Sequence, residues 1–309
     1  MAFAMPTQDP PPFGAGNLTE TSPLLRRDER AVLRGLIADR LGTGAVALPL
    51  LPQVANQVLA LTSQPQVDAL QLSNLIHRDP ALAGQVLRIA NSPAYMPSMP
   101  IVSLQQAVAR LGMEAVTEIV LAASLQSGTF KVPGYEAELK RLWRHGLASG
   151  VFAKEIARVL RSNVESAFLC GLLHAVGKPA LLQVISDAQR SRPPAERRHV
   201  SGDELVGLLD EFHRGVGLRL AASWALPQAV SNAISSYADF EAATAGRREA
   251  AVCLLADLLA TDLAEPEPAF DAETRRHPVI AALNFYPDDV TQLLSKRATV
   301  SRTVDSMTL

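Results

Sequence analysis

Residues 168–178 read Phe168-Leu169-Cys170-Gly171-Leu172-Leu173-His174-Ala175-Val176-Gly177-Lys178. The run is apolar on nearly every side, which predicts a helix packed inside a core rather than one lying on a surface. Gly171 and Gly177 suit close approach of neighbouring backbones. One imidazole, His174, stands among these apolar residues, and the next position holds Ala175. A carboxylate there would pair with the histidine in metal chemistry; the chain offers a methyl group.

Composition agrees with a helical core. Of 309 residues, 48% are hydrophobic and 19% charged, enough apolar matter for one large or two small domains. Leu and Ala dominate while aromatics reach only 5%, which favours packed helices over a β-sandwich. The formal charge of −2 gives no global argument for nucleic acid or an anionic membrane. Cys170 and Cys253 lack CxxC partners and sit in apolar surroundings, so they read as buried free thiols of a reducing cytoplasm. The N-terminus has no charged start followed by an apolar run, and no uninterrupted apolar stretch approaches a membrane span of ~18–20 residues.

Punctuation divides the rest into short helices. Residues 1–23, with Pro10-Pro11-Pro12, read as a disordered leader. Leu25, Val32, Leu33, Leu36, Ile37 and Leu41 recur at helical spacing and predict one amphipathic helix over 24–44. Asp68 with Gln71, Ser103 with Gln106, and Ser201 with Glu204 fit capping boxes. Asp79-Pro80 fits an N-cap followed by proline in the first turn. Leu111-Gly112 marks a turn between two helices, and 130–134 is the best internal boundary. A long helix is expected from about Tyr135 to Leu160, and Asn163 caps the helix bearing His174. Glu265-Pro266-Glu267-Pro268 breaks the chain before a last amphipathic helix after Pro287. No strand and no repeat is evident.

Six histidines are present, and three of them, His145, His174 and His213, lie on helices of the second half. Neutral imidazoles and carboxylates are the donors that divalent-metal hydrolysis needs. Asp257, in Leu254-Leu255-Ala256-Asp257-Leu258-Leu259, is the remaining candidate carboxylate, and reads equally as the polar face of an amphipathic helix. Lys178 follows His174 by four residues, on the same face of a helix; it is either a phosphate contact or a cation near a helix C-terminus. The arginines at 190–198 have no aromatic interleaving and read as a solvated loop. The loop from Tyr95 to Met99 either meets a partner or covers the groove between the two halves.

Taken in order, Trp143-Arg144-His145, the 171–178 run and Ala256-Asp257 resemble the successive motifs of the HD-domain metal phosphohydrolase superfamily. Leu48-Pro49-Leu50-Leu51-Pro52, Ile76-His77-Arg78-Asp79-Pro80, Ala90-Asn91-Ser92 and Arg110-Leu111-Gly112 resemble the front half of its HDOD family. So do Phe212-His213 with Val216-Gly217, and Trp224-Ala225-Leu226-Pro227. The resemblance covers roughly 45–262. It implies an all-α, multi-helix HD-domain-like bundle with an N-terminal helical subdomain: a front half over 45–130, an HD-like half over 134–262, and a C-terminal extension over 263–309.

By the same resemblance, His145 and His174 fall on the metal histidines and Asp257 on the terminal aspartate. Ala175 replaces the paired aspartate, Ser236-Tyr237 stands where many relatives have His-His, and the Gly-Tyr-Pro segment of active cyclic-di-GMP phosphodiesterases is absent. The implied protein is a non-catalytic bacterial signalling module without cofactor, in which His145, His174, His213 and Asp257 are vestiges of a metal site. It would act on protein partners linked to cyclic-di-GMP or two-component systems, in the cytoplasm, without nucleic acid or membrane. The alternatives are a metal-dependent phosphohydrolase using those four residues, and a nucleotide-binding sensor without turnover.

Overall fold

The computed structural model describes residues 23–43, 48–62, 68–95, 97, 99–197, 199–264 and 274–308. Most of the expected leader, the 265–268 break and Met96 lie outside them. Every described regular element is helical.

Helix α1 (Pro23–Gly42) lies against α8 (Gly177–Ser191) and α9 (Gly202–Ser223) of the second half. Leu33 and Ile37 carry its buried stripe, and the Arg219 guanidinium donates to the Leu41 carbonyl at 2.5 Å. The front half follows as α2 (Gln53–Thr62), α3 (Ala69–Ile76), α4 (Pro80–Ala90) and α5 (Leu104–Gln126). Its starts are those the sequence marks. Asp68 and Gln71 form the reciprocal capping box, and Asp79 accepts from Leu82 N–H at 3.0 Å with Pro80 in the first turn. Ser103 accepts from Gln106 N–H at 3.2 Å, but the Gln106 amide turns to Val102 N–H and leaves the box half made. At Gly112, φ 85° and ψ 161° break α5 into two segments, a conformation that favours glycine.

The 130–134 boundary is a hinge point in sequence but a packed junction in space. Phe130 and Val132 are buried, and the Phe130 ring sits 5.8 Å from that of Trp143 and 6.4 Å from that of Trp224. Trp224 Nε1–H donates to the Pro49 carbonyl at 2.8 Å, tying the second half back to the first. One continuous core therefore runs through both halves.

The second half comprises α6 (Glu136–Val159), α7 (Val164–Leu173), α8, α9, α10 (Gln228–Ser236), a short 3-10 turn at Tyr237–Ala242 and α11 (Arg247–Ala264). Helix α6 is its centre and packs most extensively on α7 and α11. The close α6–α7 approach needs glycine: a Cβ on Gly171 would stand 2.5 Å from the Ser149 carbonyl oxygen. Gly177 is tighter still, 1.8 Å from the His213 carbonyl oxygen of α9.

Four expectations change. The helix of His174 does not continue to Lys178: α7 ends at Leu173, residues 174–176 turn, and α8 starts at Gly177. Pro179 has no N–H to give the Ala175 carbonyl, so an unbroken ladder cannot form there. Ser201 makes no side-chain cap, and α9 starts at Gly202, whose φ is 60°. Among its described residues the C-terminal extension shows the helices α12 (Pro278–Ala282), α13 (Pro287–Ser295) and α14 (Arg297–Met307), more than the one expected. Helix α14 packs on α6 and α5, with Gln126 donating to the Met307 carbonyl at 2.9 Å. Finally, the Val164–Ser191 segment is long and apolar enough to cross a membrane by length and composition, where no such stretch is expected from the sequence. Within the fold 83% of its most apolar window is buried, as core helices require.

Candidate functional site

Helices α6, α7 and α11 bring three of the four expected residues together. His145 projects from α6, His174 closes the C-terminus of α7, and Asp257 projects from α11. Asp257 Oδ1 lies 2.7 Å from His145 Nε2 and 3.0 Å from His174 Nε2. The two rings stand 6.1 Å apart, and their ligand atoms lie with the Asp257 oxygen inside a 4.8 Å cluster. His174 is fully buried. Its Nδ1–H donates to the Gly171 carbonyl at 2.7 Å, which fixes the ring and presents Nε2 to Asp257.

Electrostatics bind the trio as well as geometry. Burial pushes the Asp257 carboxyl up, but the hydrogen bonds and charges of His145 and His174 outweigh it, holding the carboxyl well below the usual carboxylate range.

His213 is not part of this cluster. Its Nδ1–H points at the Leu209 and Asp210 carbonyls, 3.0 and 3.1 Å away, and its Nε2 accepts from the Tyr237 hydroxyl at 3.1 Å. Burial, aided by the Lys178 charge, lowers the His213 pKa and keeps the ring neutral. Tyr237 stands between the two sets, its ring edge-on to His174 at 4.6 Å. Burial and the nearby Asp257 charge push its phenol well up, so the hydroxyl remains a donor. The Tyr237 hydroxyl thus holds His213 apart from the donor set of the cluster.

Lys178 is also placed differently from expectation. It lies in the first turn of α8, not at a helix C-terminus, and pairs with Asp210 of α9 at 2.9 Å. In the 190–198 loop, Arg197 reaches the carbonyls of Arg190 and Arg192, both at 3.0 Å, and so caps the end of α8. Tyr95 turns inward towards Glu118, and burial raises its phenol pKa, while Met99 is 64% exposed. Cys170 and Cys253 are buried free thiols, and a hydrogen bond between them with burial raises the Cys253 pKa.

Sequence reasoning did not find the cavity beside the centre. It measures about 540 Å³ and lies between α6, the α7–α8 turn, α9 and α11, not in the junction between the halves. Trp143, Leu172, Leu205 and Leu209 wall it, His145 and Ala175 border it on the side of the cluster, and Lys178 stands at its edge. Its signal in the sequence is spread over five helices that only folding brings together.

The donor chemistry can be tested against a metal centre of the HD type. A dinuclear centre does not fit: Ala175 supplies no bridging carboxylate, and His213 is bonded to Tyr237. A single ion is compatible with His145, His174 and Asp257, on condition that it displaces the protons now shared between Asp257 and the two rings. Such an ion would polarise a bound water or phosphoryl oxygen.

Residues 48–240, more than half of the chain, match the HDOD domain. The chain belongs to the HDOD domain family. An uncharacterized protein of Treponema pallidum (strain Nichols) is 27% identical over 213 residues, spanning 65% of this chain and 39% of that protein. The chain therefore matches well under half of that curated relative. An HDOD domain protein of unknown function from Geobacter sulfurreducens superposes with a TM-score of 0.69 at 23% identity, covering 90% of this chain and 99% of the other. A "Putative phosphohydrolase" from Shewanella amazonensis SB2B gives 0.65 at 19% identity, covering 88% and 98%. These structural likenesses show a shared all-helical fold.

Proposed function

We propose that this chain is a non-catalytic signal-transduction module of the bacterial cytoplasm that acts by binding another protein. The observation that carries the reading is the state of the HD-derived centre. One oxygen of Asp257 already engages both imidazoles, 2.7 and 3.0 Å away, and the neighbouring position that needs a second carboxylate holds the methyl of Ala175. The centre therefore works as a clasp that joins α6, α7 and α11. Metal-dependent hydrolysis through His145, His174, His213 and Asp257 is disfavoured because His213 is held apart by Tyr237. A nucleotide sensor is disfavoured because the cavity beside the centre is walled mainly by apolar side chains, Trp143, Leu172, Leu205 and Leu209 among them, rather than by polar partners for a base and a sugar.

The test is metal content and turnover together. Purified protein is expected to carry no stoichiometric iron, manganese or zinc, and to leave phosphodiester and nucleotide substrates intact when these metals are added. Hydrolysis that disappears in His145→Ala or His174→Ala would overturn the reading. The binding function is tested by cross-linking in native cells, with recovery of one defined partner expected.

A further inference from the structure

We infer that the 540 Å³ cavity beside the clasp is a binding site for a small amphipathic carboxylate, an apolar chain with one anionic head. The inference does not depend on whether the clasp is catalytically silent. The volume falls in the range of roughly 300–1,000 Å³ that small-molecule pockets occupy. Its walls set the chemistry of the body of the ligand: Trp143, Leu172, Leu205, Leu209 and Ala260 are buried apolar residues that nevertheless face this space. Ala175 extends the same apolar wall. An aspartate there would line the cavity with negative charge and repel an anion; the methyl removes that repulsion.

The rim sets the chemistry of the head. Lys178, Arg141 and Arg144 all border the cavity, with Glu138 the one acidic side chain among the lining residues. Each cation already faces a carboxylate: Asp210 lies 2.9 Å from Lys178, Asp305 lies 2.5 Å from Arg144, and Glu138 lies 3.4 Å from Arg141. Asp210 and Asp305 are more than half exposed, so these pairs are weak and exchangeable. A ligand carboxylate can replace Asp210 on Lys178 like for like. The mainly apolar walls give a base and a sugar few polar partners, which separates this ligand class from nucleotides. The remaining titratable group on the wall is His145, whose Nε2 is turned to Asp257.

Dodecanoate, kept below its micellar concentration, is the probe, with dodecan-1-ol and dodecylamine as controls of equal chain. Calorimetry and tryptophan emission are expected to show saturable one-to-one binding of dodecanoate, about tenfold or more tighter than either control, as a charge-assisted contact provides. Lys178→Met is expected to weaken dodecanoate by about tenfold and leave the alcohol unchanged. Ala175→Leu, which narrows the cavity, is expected to weaken both. Thermal melts establish that each variant folds, and the comparison of head groups on the unaltered protein requires no variant. Absence of saturable binding, equal binding of all three head groups, or tighter binding of dodecyl phosphate than of dodecanoate would each overturn the inference.

Discussion

His174 and Asp257 face each other across 3.0 Å, Nε2 towards Oδ1, while Nδ1–H of the same ring is committed to the Gly171 carbonyl at 2.7 Å. A carboxylate oxygen can only accept, so a proton has to lie between it and Nε2. His145 completes the clasp from α6, at 2.7 Å from the same oxygen. Asp257→Asn is expected to cost about 1–3 kcal/mol at pH 7, because a charge-assisted acceptor serving two helices is lost. The sign of the pH dependence follows from the depressed carboxyl. Its contribution is full above the unfolded value of about 3.9 and is lost as pH falls towards the folded one. Denaturant melts of the two proteins should therefore still differ at about pH 4 and converge only in stronger acid. A gap that closes near neutrality would contradict this account of the clasp.

Restoring the missing carboxylate should change what the centre holds. Ala175 borders the cavity next to His145, one residue beyond His174. Ala175→Asp places a fourth donor beside three ligand atoms already within 4.8 Å of one another. Calorimetric titration with Mn²⁺ is expected to show at least about tenfold tighter binding than the parent, since a further anionic donor strengthens a hard-cation site. Equal affinity in the two proteins would mean that residue 175 does not face the cluster.

How much of this was legible in the sequence depends on whether the controlling interaction is local. The caps at Asp68, Asp79, Ser103 and Asn163 could be read because the acceptor and its N–H lie within three residues of each other. The family motifs placed His145, His174 and Asp257 in one centre, and the fold brings them together. The fate of His213 was not legible: it is decided by Tyr237, 24 residues away, whose hydroxyl takes up Nε2. The helix break after Leu173 was half visible in Pro179, but its consequence, Lys178 paired across to α9, is a tertiary fact. The cavity was invisible for the same reason, since its lining comes from five helices.

Among the described glycines, Gly177 leaves the least room for a side chain. A Cβ there would meet the His213 carbonyl oxygen at 1.8 Å and the Gly217 nitrogen at 2.7 Å, both backbone atoms. Neither can move without shifting α9. Gly177→Ala is expected to destabilise by at least the ~1–3 kcal/mol of an overpacked core, despite the better helix propensity of alanine. Gly84→Ala is the control: nothing stands within 4 Å of a Cβ at that helical glycine. It should be neutral or slightly stabilising by thermal melt, and equal effects at the two positions would remove the α8–α9 contact as the cause.

Glu118 on α5 predicts a second and opposite pH dependence. Its side chain is almost completely buried, with Lys154 Nζ from α6 at 2.6 Å and the Glu114 carboxylate close by. Burial pushes its carboxyl up to about 7, and Lys154 only partly opposes the shift. An acid whose folded pKa lies above its unfolded value binds its proton more tightly in the fold. The stability it contributes is full below about pH 4, where the unfolded chain also carries the proton. It declines as pH rises and is gone once pH passes about 7. Glu118→Gln keeps the shape and removes the titration. Denaturant melts at pH 5, 6, 7 and 8 should show the parent losing stability relative to the variant up to about pH 7 and then running parallel to it. A parent whose stability relative to Glu118→Gln is flat across this range would show that Lys154 neutralises Glu118 fully, leaving α5 and α6 joined by a permanent ion pair.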